Sequence, residues 1–285
     1  MNTWLNTLYQ RMKCDRESWK RLLSVVKGFR EGGILSSLML CTITMHNTAY
    51  ALNIGSEAPD FYANSTSGEI HFHDQLEGRY SILFSHPQDF TPVCTTEIGA
   101  LAKRIGDFQR RKTSLYVLSI NTVDEHNRWV SDINRFLGRE SDERLPFAVI
   151  GNSPGFDNVI DIARQYDMLP GDLGESRDPD VQKEGLGSAK DNATVRTVFI
   201  IGPDKRVRLM MSYPMTTGRN VDEILRTLDA IQFSDRTGLA TPVDWQPGRP
   251  GIVPPGMSDA DAMEKYSGVV KVNDYLRYAD NLKSE

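Results

Sequence analysis

The chain has 285 residues, of which 39% are apolar and 25% are charged, and its net charge is -5. A chain of this length and composition can bury a substantial core, so it is neither a disordered polymer nor a fibrous one. The first 51 residues carry seven Lys or Arg against three Asp or Glu, which leaves a net charge of -9 on residues 52–285. This acidic body argues against nucleic acid as the main partner.

The first 51 residues differ in pattern from the rest. Seven basic residues, between Arg11 and Arg30, precede the uncharged residues 32–44, and the small-residue sequence Ala49-Tyr50-Ala51 follows. This order resembles a secretory signal peptide, so we expect cleavage near Ala51 and export to the periplasm or the exterior. The long basic region leaves two alternatives open, an organelle-targeting segment or a cytoplasmic extension. The apolar stretch is too short to predict a stable membrane span.

From residue 52 onward, strand and helix patterns alternate. Short apolar runs predict strands over 80–85, 115–120, 147–150, 195–201 and 207–211. Helical spacing of apolar residues predicts helices over 98–108, 129–137 and 221–231, the last with Asn220 as its N-cap. The sequence GPDK at 202–205 predicts a hairpin turn between the last two strands. The pattern favours an α/β domain over 52–233 with a central mixed sheet flanked by helices, compatible with a thioredoxin-like fold.

Two segments depart from this alternation. Residues 170–192 are polar, charged and Gly-rich, which predicts a long surface loop. After residue 233 the proline content rises, before a short helical signal at 259–266 and a tail around 275–278. These residues are too few for an independent core, so 234–285 is interpreted as a C-terminal extension that packs on the main domain or on a partner subunit.

The three cysteines are Cys14, Cys41 and Cys94, and cleavage near Ala51 would leave only Cys94. A single thiol cannot form an intramolecular disulfide, and no pair of cysteines has the spacing of a zinc site. We therefore expect no cofactor and no metal ion. A lone cysteine is often just a small buried apolar residue, so its sequence context must decide its role.

That context is the sequence HPQDFTPVCTTEIG at 86–99, which joins a predicted strand to the helix that begins near Cys94. Free backbone N–H groups and the helix dipole at such a position favour the thiolate, which is the nucleophilic form. Thr91 offers a hydroxyl to a small oxygen substrate. Pro87 and Pro92 make the approach rigid and remove backbone donors. The spacing predicts a pocket for attack on an oxygen atom.

The sequence HPQDFTPVCTTE resembles the active-site signature of the peroxiredoxin family. Further similarity lies in TVFIIGPDKRVRL at 197–209, YPMTTGRNVDEILR at 213–226 and ATPVDWQPG at 240–248. Together these segments are similar to the one-cysteine, peroxiredoxin-six type. The resemblance implies a thioredoxin-like fold, a dimer-contacting C-terminal extension, and thiol-dependent reduction of hydrogen peroxide and organic hydroperoxides.

The resemblance also implies roles for individual residues. Cys94 matches the cysteine that attacks peroxide and becomes a sulfenic acid, and Thr91, Pro87 and Arg196 match the rest of its pocket. His86, Glu97 and Arg219 match positions expected to support it. Arg196 would favour the thiolate and stabilise charge on the leaving oxygen.

Without a resolving cysteine in the mature chain, we expect an external thiol, glutathione or a thioredoxin-like protein, to reduce the sulfenic acid. The resemblance favours a homodimer that serves antioxidant defence. The alternative is a redox sensor or chaperone-like scaffold that oxidises Cys94 without turning over.

Two further activities are expected to be absent. Some proteins of this type carry a phospholipase Gly-x-Ser-x-Gly motif with a nearby histidine; here His73 is present, but Arg79 occupies the serine position. In the sequence His71-x-His73-Asp74, the alternate residues His71 and His73 would share a face if they lay on one strand, but a third ligand is not evident, so no metal site is expected there.

Overall fold

The computed structural model describes residues 52–76, 78–170 and 193–283. The predicted targeting segment, both of its cysteines and residues 171–192 of the predicted loop lie outside these ranges. None of the described helices combines the length and apolar character needed to cross a membrane.

The described part of the chain contains a seven-stranded mixed sheet in the order β2-β1-β5-β4-β3-β6-β7. Its strands are β1 Tyr62–Ser65, β2 Gly68–His71, β3 Tyr80–Ser85, β4 Thr113–Thr122, β5 Ala148–Asn152, β6 Arg196–Ile201 and β7 Val207–Tyr213. The three central strands β3, β4 and β5 are parallel, while the β1, β2, β6 and β7 pairings are antiparallel.

Seven helices accompany the strands in the described ranges: α1 Phe72–Gln75, α2 Pro92–Lys103, α3 Ile105–Arg110, α4 Val123–Leu137, α5 Val159–Gln165, α6 Val221–Thr237 and α7 Asp259–Lys265. The predicted helix over 98–108 is divided at Arg104 into α2 and α3. Asn220 caps α6 as predicted, since its side chain accepts hydrogen bonds from the backbone N–H groups of Asp222 and Glu223.

The sheet separates two apolar clusters, because successive residues of a strand point to opposite faces. In β3, Leu83 lies in the cluster with α1 and α5, whereas Ile82 and Phe84 lie in the cluster with α2, α4 and α6. Cys94 belongs to the second cluster. Helices therefore cover both faces, which confirms the predicted α/β fold with a mixed sheet.

The C-terminal extension adds five short strands beyond α6: β8 Gly251–Ile252, β9 Tyr266–Ser267, β10 Val270–Lys271, β11 Arg277–Ala279 and β12 Asn281–Leu282. They form a sheet ordered β10-β11-β8 and a separate β12-β9 pair. A third apolar cluster joins the end of α6, through Phe233, to Trp245, Val253 and Tyr266 of the extension. The extension thus packs on the main domain through α6.

Candidate active site

Cys94 is the third residue of α2, and its side chain is fully buried. Thr91 is the N-cap, with the extended backbone (φ -115°, ψ 146°) that starts a helix. Pro92 follows at the first helical position, where its missing N–H costs nothing. The sulfur therefore lies in the first helical turn, beside unpaired N–H groups that favour an anion.

The hydroxyl of Thr91 donates a hydrogen bond to the carbonyl of Gln88 at 2.9 Å. The hydroxyl proton is engaged in this bond, so the hydroxyl oxygen is free to accept a hydrogen bond from a hydroperoxide. The carbonyl of Thr91 accepts from both the backbone and the hydroxyl of Thr95. Together with buried Pro87, these bonds define the shape of the 86–91 loop ahead of Cys94.

Arg196, the first residue of β6, brings a positive charge to the sulfur. Its Nη1 lies 3.3 Å from Sγ of Cys94, although the two residues are 102 positions apart in the chain. Its Nε donates to the carbonyl of Met215 at 2.8 Å, which fixes the plane of the guanidinium. Arg196 is 3% exposed, so solvent screens this charge little.

Glu97 lies one turn after Cys94 on α2 and joins the two buried arginines. One carboxylate oxygen accepts from Arg196 at 2.6 Å, and Arg219 donates through both Nε and Nη2 at 2.8 Å. Burial alone would raise the pKa of Glu97, but the hydrogen bonds and charge of Arg219, aided by Arg196, hold it below its ordinary value. Glu97 is therefore an anion.

Arg219 anchors this cluster to the ends of two strands. Its Nη1 donates to the carbonyls of Ser85 in β3 and Thr197 in β6, and its guanidinium lies 3.2 Å above the ring of Phe84. The cluster therefore contains two buried cations and one buried anion. A thiolate at Cys94 compensates the remaining positive charge, whereas a neutral thiol leaves it unpaired.

His86 directly follows the last residue of β3, and both its backbone N–H and its carbonyl are hydrogen-bonded. Its N–H donates to the carbonyl of Leu118, and its carbonyl accepts from the hydroxyl of Thr194. The ring packs 5.2 Å from the ring of Trp129, and among the described side chains it makes no hydrogen bond to Cys94. Burial lowers the pKa of His86 well below its usual value, and the nearby positive groups act in the same direction. His86 is therefore neutral at physiological pH.

The sequence interpretation missed Asp89 and His126, which form a buried hydrogen-bonded pair between the 86–91 loop and α4. Asp89 lies inside the motif that pointed to Cys94 and Thr91. His126 lies on the apolar stripe of α4, three residues before Trp129. His126 lies outside the predicted helix 129–137 but extends its apolar spacing by one turn, and this spacing is the one signal in the sequence that could have identified the residue.

His71 and His73, near the start of the domain, lie in β2 and α1 and not in the segment around Cys94. His73 belongs to α1, and its Nε2 contacts the carbonyl of Ala58 at 2.7 Å. His71 ends β2, so His71 and His73 do not share one strand face, because the chain turns into a helix between them. The premise of the metal hypothesis at these two residues is wrong for this reason. Arg79, at the position of the phospholipase serine, is exposed.

Comparison with known proteins gives the same family from sequence and from structure. The model of the AhpC/TSA family matches residues 54–210, and the model of the C-terminal domain of 1-Cys peroxiredoxin matches residues 230–268. Mitochondrial peroxiredoxin PRX1 of Saccharomyces cerevisiae is 38% identical over 84% of this chain and 85% of its own length. Peroxiredoxin-6 of Mus musculus is 43% identical over 80% of this chain and 96% of its own length.

Two solved structures are similar over their full lengths. A yeast mitochondrial 1-Cys peroxiredoxin has a TM-score of 0.67 and 38% identity, and covers 81% of this chain. A mutant of peroxiredoxin 6 from Arenicola marina has a TM-score of 0.67 and 37% identity, and covers 82%. Both comparisons agree with the thioredoxin-like sheet and the C-terminal extension. This chain belongs to the AhpC/TSA family of peroxiredoxins, and within it to the one-cysteine kind.

Proposed function

We propose that this protein is a thiol-dependent peroxidase that reduces hydrogen peroxide and organic hydroperoxides at Cys94. The observation that carries the proposal is the buried sulfur in the first turn of α2 with Nη1 of Arg196 at 3.3 Å. A thiolate held beside a fixed cation in a buried pocket is the nucleophile that this reaction needs.

In the first step, the Cys94 thiolate attacks the terminal oxygen of the peroxide and the O–O bond breaks. The sulfur is oxidised to a sulfenic acid, and the other oxygen leaves as an alkoxide or hydroxide that takes up a proton. Thr91 accepts a hydrogen bond from the bound hydroperoxide. Arg196 stabilises the negative charge as it moves from sulfur to oxygen. Glu97 and Arg219 hold Arg196 in place.

In the second step, an external thiol attacks the sulfenic acid, which releases water and forms a mixed disulfide; a second thiol then releases the Cys94 thiolate. Cys94 is the free cysteine of the described residues, and Cys14 and Cys41 belong to the predicted targeting segment. For the yeast mitochondrial relative, a thiol-resolving mechanism through glutathione and thioredoxin systems is described. That description supports the same classes of reductant here.

Multiple turnover tests the function against the alternative of a redox sensor or scaffold. Purified protein with glutathione or thioredoxin should consume hydrogen peroxide continuously, while Cys94→Ser should not exceed the uncatalysed rate. A wild-type protein that consumes one equivalent of peroxide and then stops in the presence of both reductants would favour the sensor.

The C-terminal extension is proposed to contact a second copy of this chain. It exposes Val270, Val272 and Tyr275 by 59%, 61% and 72%, and exposed apolar side chains of one segment are typical of an interface. Light scattering should give the mass of a dimer for the wild type and a lower average mass for Val272→Lys. A monomeric wild type at micromolar concentration would contradict the proposal.

The first 51 residues are proposed to direct the protein to a compartment and to be removed near Ala51. The mitochondrial relative supports the organelle-targeting alternative over export. N-terminal sequencing of protein isolated from fractionated cells tests both points. Retention of Met1 in the mature protein would contradict the cleavage.

A further inference from the structure

A buried pair of side chains connects the 86–91 loop to α4. This pair takes no part in the reaction steps described above. Oδ2 of Asp89 lies 2.6 Å from Nδ1 of His126, and the two side chains are 0% and 1% exposed. Asp89 lies in the middle of the loop, and His126 lies in the first turn of α4. Buried charged or polar groups of this kind are stable only when they are paired.

The second ring nitrogen of His126 is also engaged. Its Nε2 lies 3.2 Å from the carbonyl of Ile150, which can only accept a hydrogen bond. Both ring nitrogens of His126 therefore have a hydrogen-bond partner. Ligand atoms of His86, Asp89 and His126 lie within 4.8 Å of one another, as in a metal site. With both nitrogens of His126 occupied, however, the geometry favours a hydrogen-bonded tether over a metal ion.

Two independent features show that the loop needs such a tether. The backbone N–H of Asp89 donates to Oδ1 of Asn121 in β4, so Asp89 is held through its backbone and its side chain. The next residue, Phe90, has a φ of 56° and a ring that is 53% exposed. A bulky residue in this left-handed region is strained and persists only where its neighbours impose the conformation.

We propose that Asp89 and His126 are positioning residues that hold the 86–91 loop in the conformation in which Thr91 and Cys94 meet a peroxide. This inference rests on the proposed peroxidase function. The tether acts on the placement of Thr91 at the start of α2, whereas the charge of Arg196 acts on the sulfur independently of it. Because Cys94 is fully buried, reagents larger than a peroxide reach its sulfur only when the loop moves away.

Two reactions of Cys94 separate positioning from nucleophilicity. The rate constant for single-turnover oxidation by hydrogen peroxide requires the closed loop, while alkylation by iodoacetamide requires only an accessible thiolate. Asp89→Ala should lower the peroxide rate constant by about 100-fold, the usual effect of misplacing a reacting group. Its alkylation rate constant should not fall.

Three further variants complete the experiment. Asp89→Asn keeps a hydrogen bond to a neutral His126 and should recover most of the peroxide rate lost in Asp89→Ala. The double variant Asp89→Ala with His126→Leu removes both members of the pair, so neither a buried carboxylate nor a buried imidazole is left without the other, and it should match Asp89→Ala. Asp229→Ala is the matched control, because it removes a carboxylate of α6 that is bonded to Arg111 at 2.7 Å and has no bond to the 86–91 loop among the described residues.

The inference is overturned if the double variant reacts with peroxide at the wild-type rate, or if oxidation and alkylation slow by the same factor. It is also overturned if Asp89→Asn is as slow as Asp89→Ala, since charge rather than the tether would then matter. A wild type whose Cys94 is not oxidised by peroxide overturns the proposed function together with the inference, whereas the variant results alone concern only the tether.

Discussion

The pocket of Cys94 and the C-terminal extension are stabilised by different interactions. In the pocket, the buried side chains of Arg196, Arg219 and Glu97 are charged and paired at 2.6–2.8 Å. In the extension, the buried side chains of Trp245 and Val253 pack in an apolar cluster with the end of α6. The first region depends on charge balance and geometry, and the second on the removal of apolar surface from water.

This difference predicts which measurements respond to changes in each region. Replacing a charge in the pocket should change reactivity and pH dependence. Replacing a polar contact in the extension should change stability alone. The following variants test the separation, beginning with the largest expected effect.

Arg196→Met should lower the rate constant for oxidation of Cys94 by peroxide on the order of 100- to 1000-fold, the range found when one preorganised donor is removed from an active site. The physical cause is the loss of the positive charge 3.3 Å from the sulfur. Stopped-flow kinetics measures the rate constant.

Arg206→Met is the matched control for this variant. Arg206 is exposed and donates to the carbonyl of Gly55 away from the pocket. An equal loss of rate in both variants would mean that Arg196 has no specific effect on Cys94.

Glu97→Gln should lower the free energy of unfolding by about 3 kcal/mol at neutral pH, because it leaves two buried arginines without their anion. The folded-state pKa of Glu97 lies below its ordinary value of 4.5, so its stabilising effect is complete above pH 4.5 and is lost as the pH falls through the folded-state pKa. The difference between wild type and variant should therefore shrink in acid. Urea unfolding over a pH series measures it.

Glu223→Gln provides the comparison for Glu97→Gln. Glu223 pairs with Arg226 on α6, but its side chain is 38% exposed, so its loss should cost only about 0.5 kcal/mol. A difference between wild type and Glu97→Gln that stays constant down to pH 3 would contradict a depressed pKa for Glu97.

Tyr266→Phe should have the smallest effect. The hydroxyl of Tyr266 donates to the carbonyl of Thr237 at 3.0 Å, and such a bond contributes about 1 kcal/mol. The free energy of unfolding should fall by this amount while the peroxide rate constant stays at the wild-type value. A slower reaction with peroxide would show that the extension and the pocket are coupled.

The sequence predicted the central strands well because they are buried on both faces and rich in apolar residues. Strand β3, for example, has the predicted bounds 80–85. Strands β1 and β2 were missed because their sequences, YANS and GEIH, lack a clear apolar alternation. The division of α2 from α3 at Arg104 was missed because the apolar stripe continues across it.

At the site, the relation between residues that are close in sequence could be predicted, whereas contacts between residues far apart in sequence could not. Thr91 and Cys94 are close in sequence, so the start of a helix was enough to relate them. Arg196 could be associated with Cys94 only through the resemblance to a family, because 102 residues separate the two. The bond between Asp89 and His126 depends on how α4 packs against the loop, and no local pattern specifies that packing.

The most direct test of Cys94 as the peroxide-reactive residue is intact-mass spectrometry after one equivalent of hydrogen peroxide, with dimedone present to trap a sulfenic acid. Wild-type protein should gain one dimedone adduct, located at Cys94 by peptide mapping, and Cys94→Ser should gain none. An adduct that persists in Cys94→Ser, or its absence from wild-type protein that has consumed the peroxide, would contradict the assignment of Cys94.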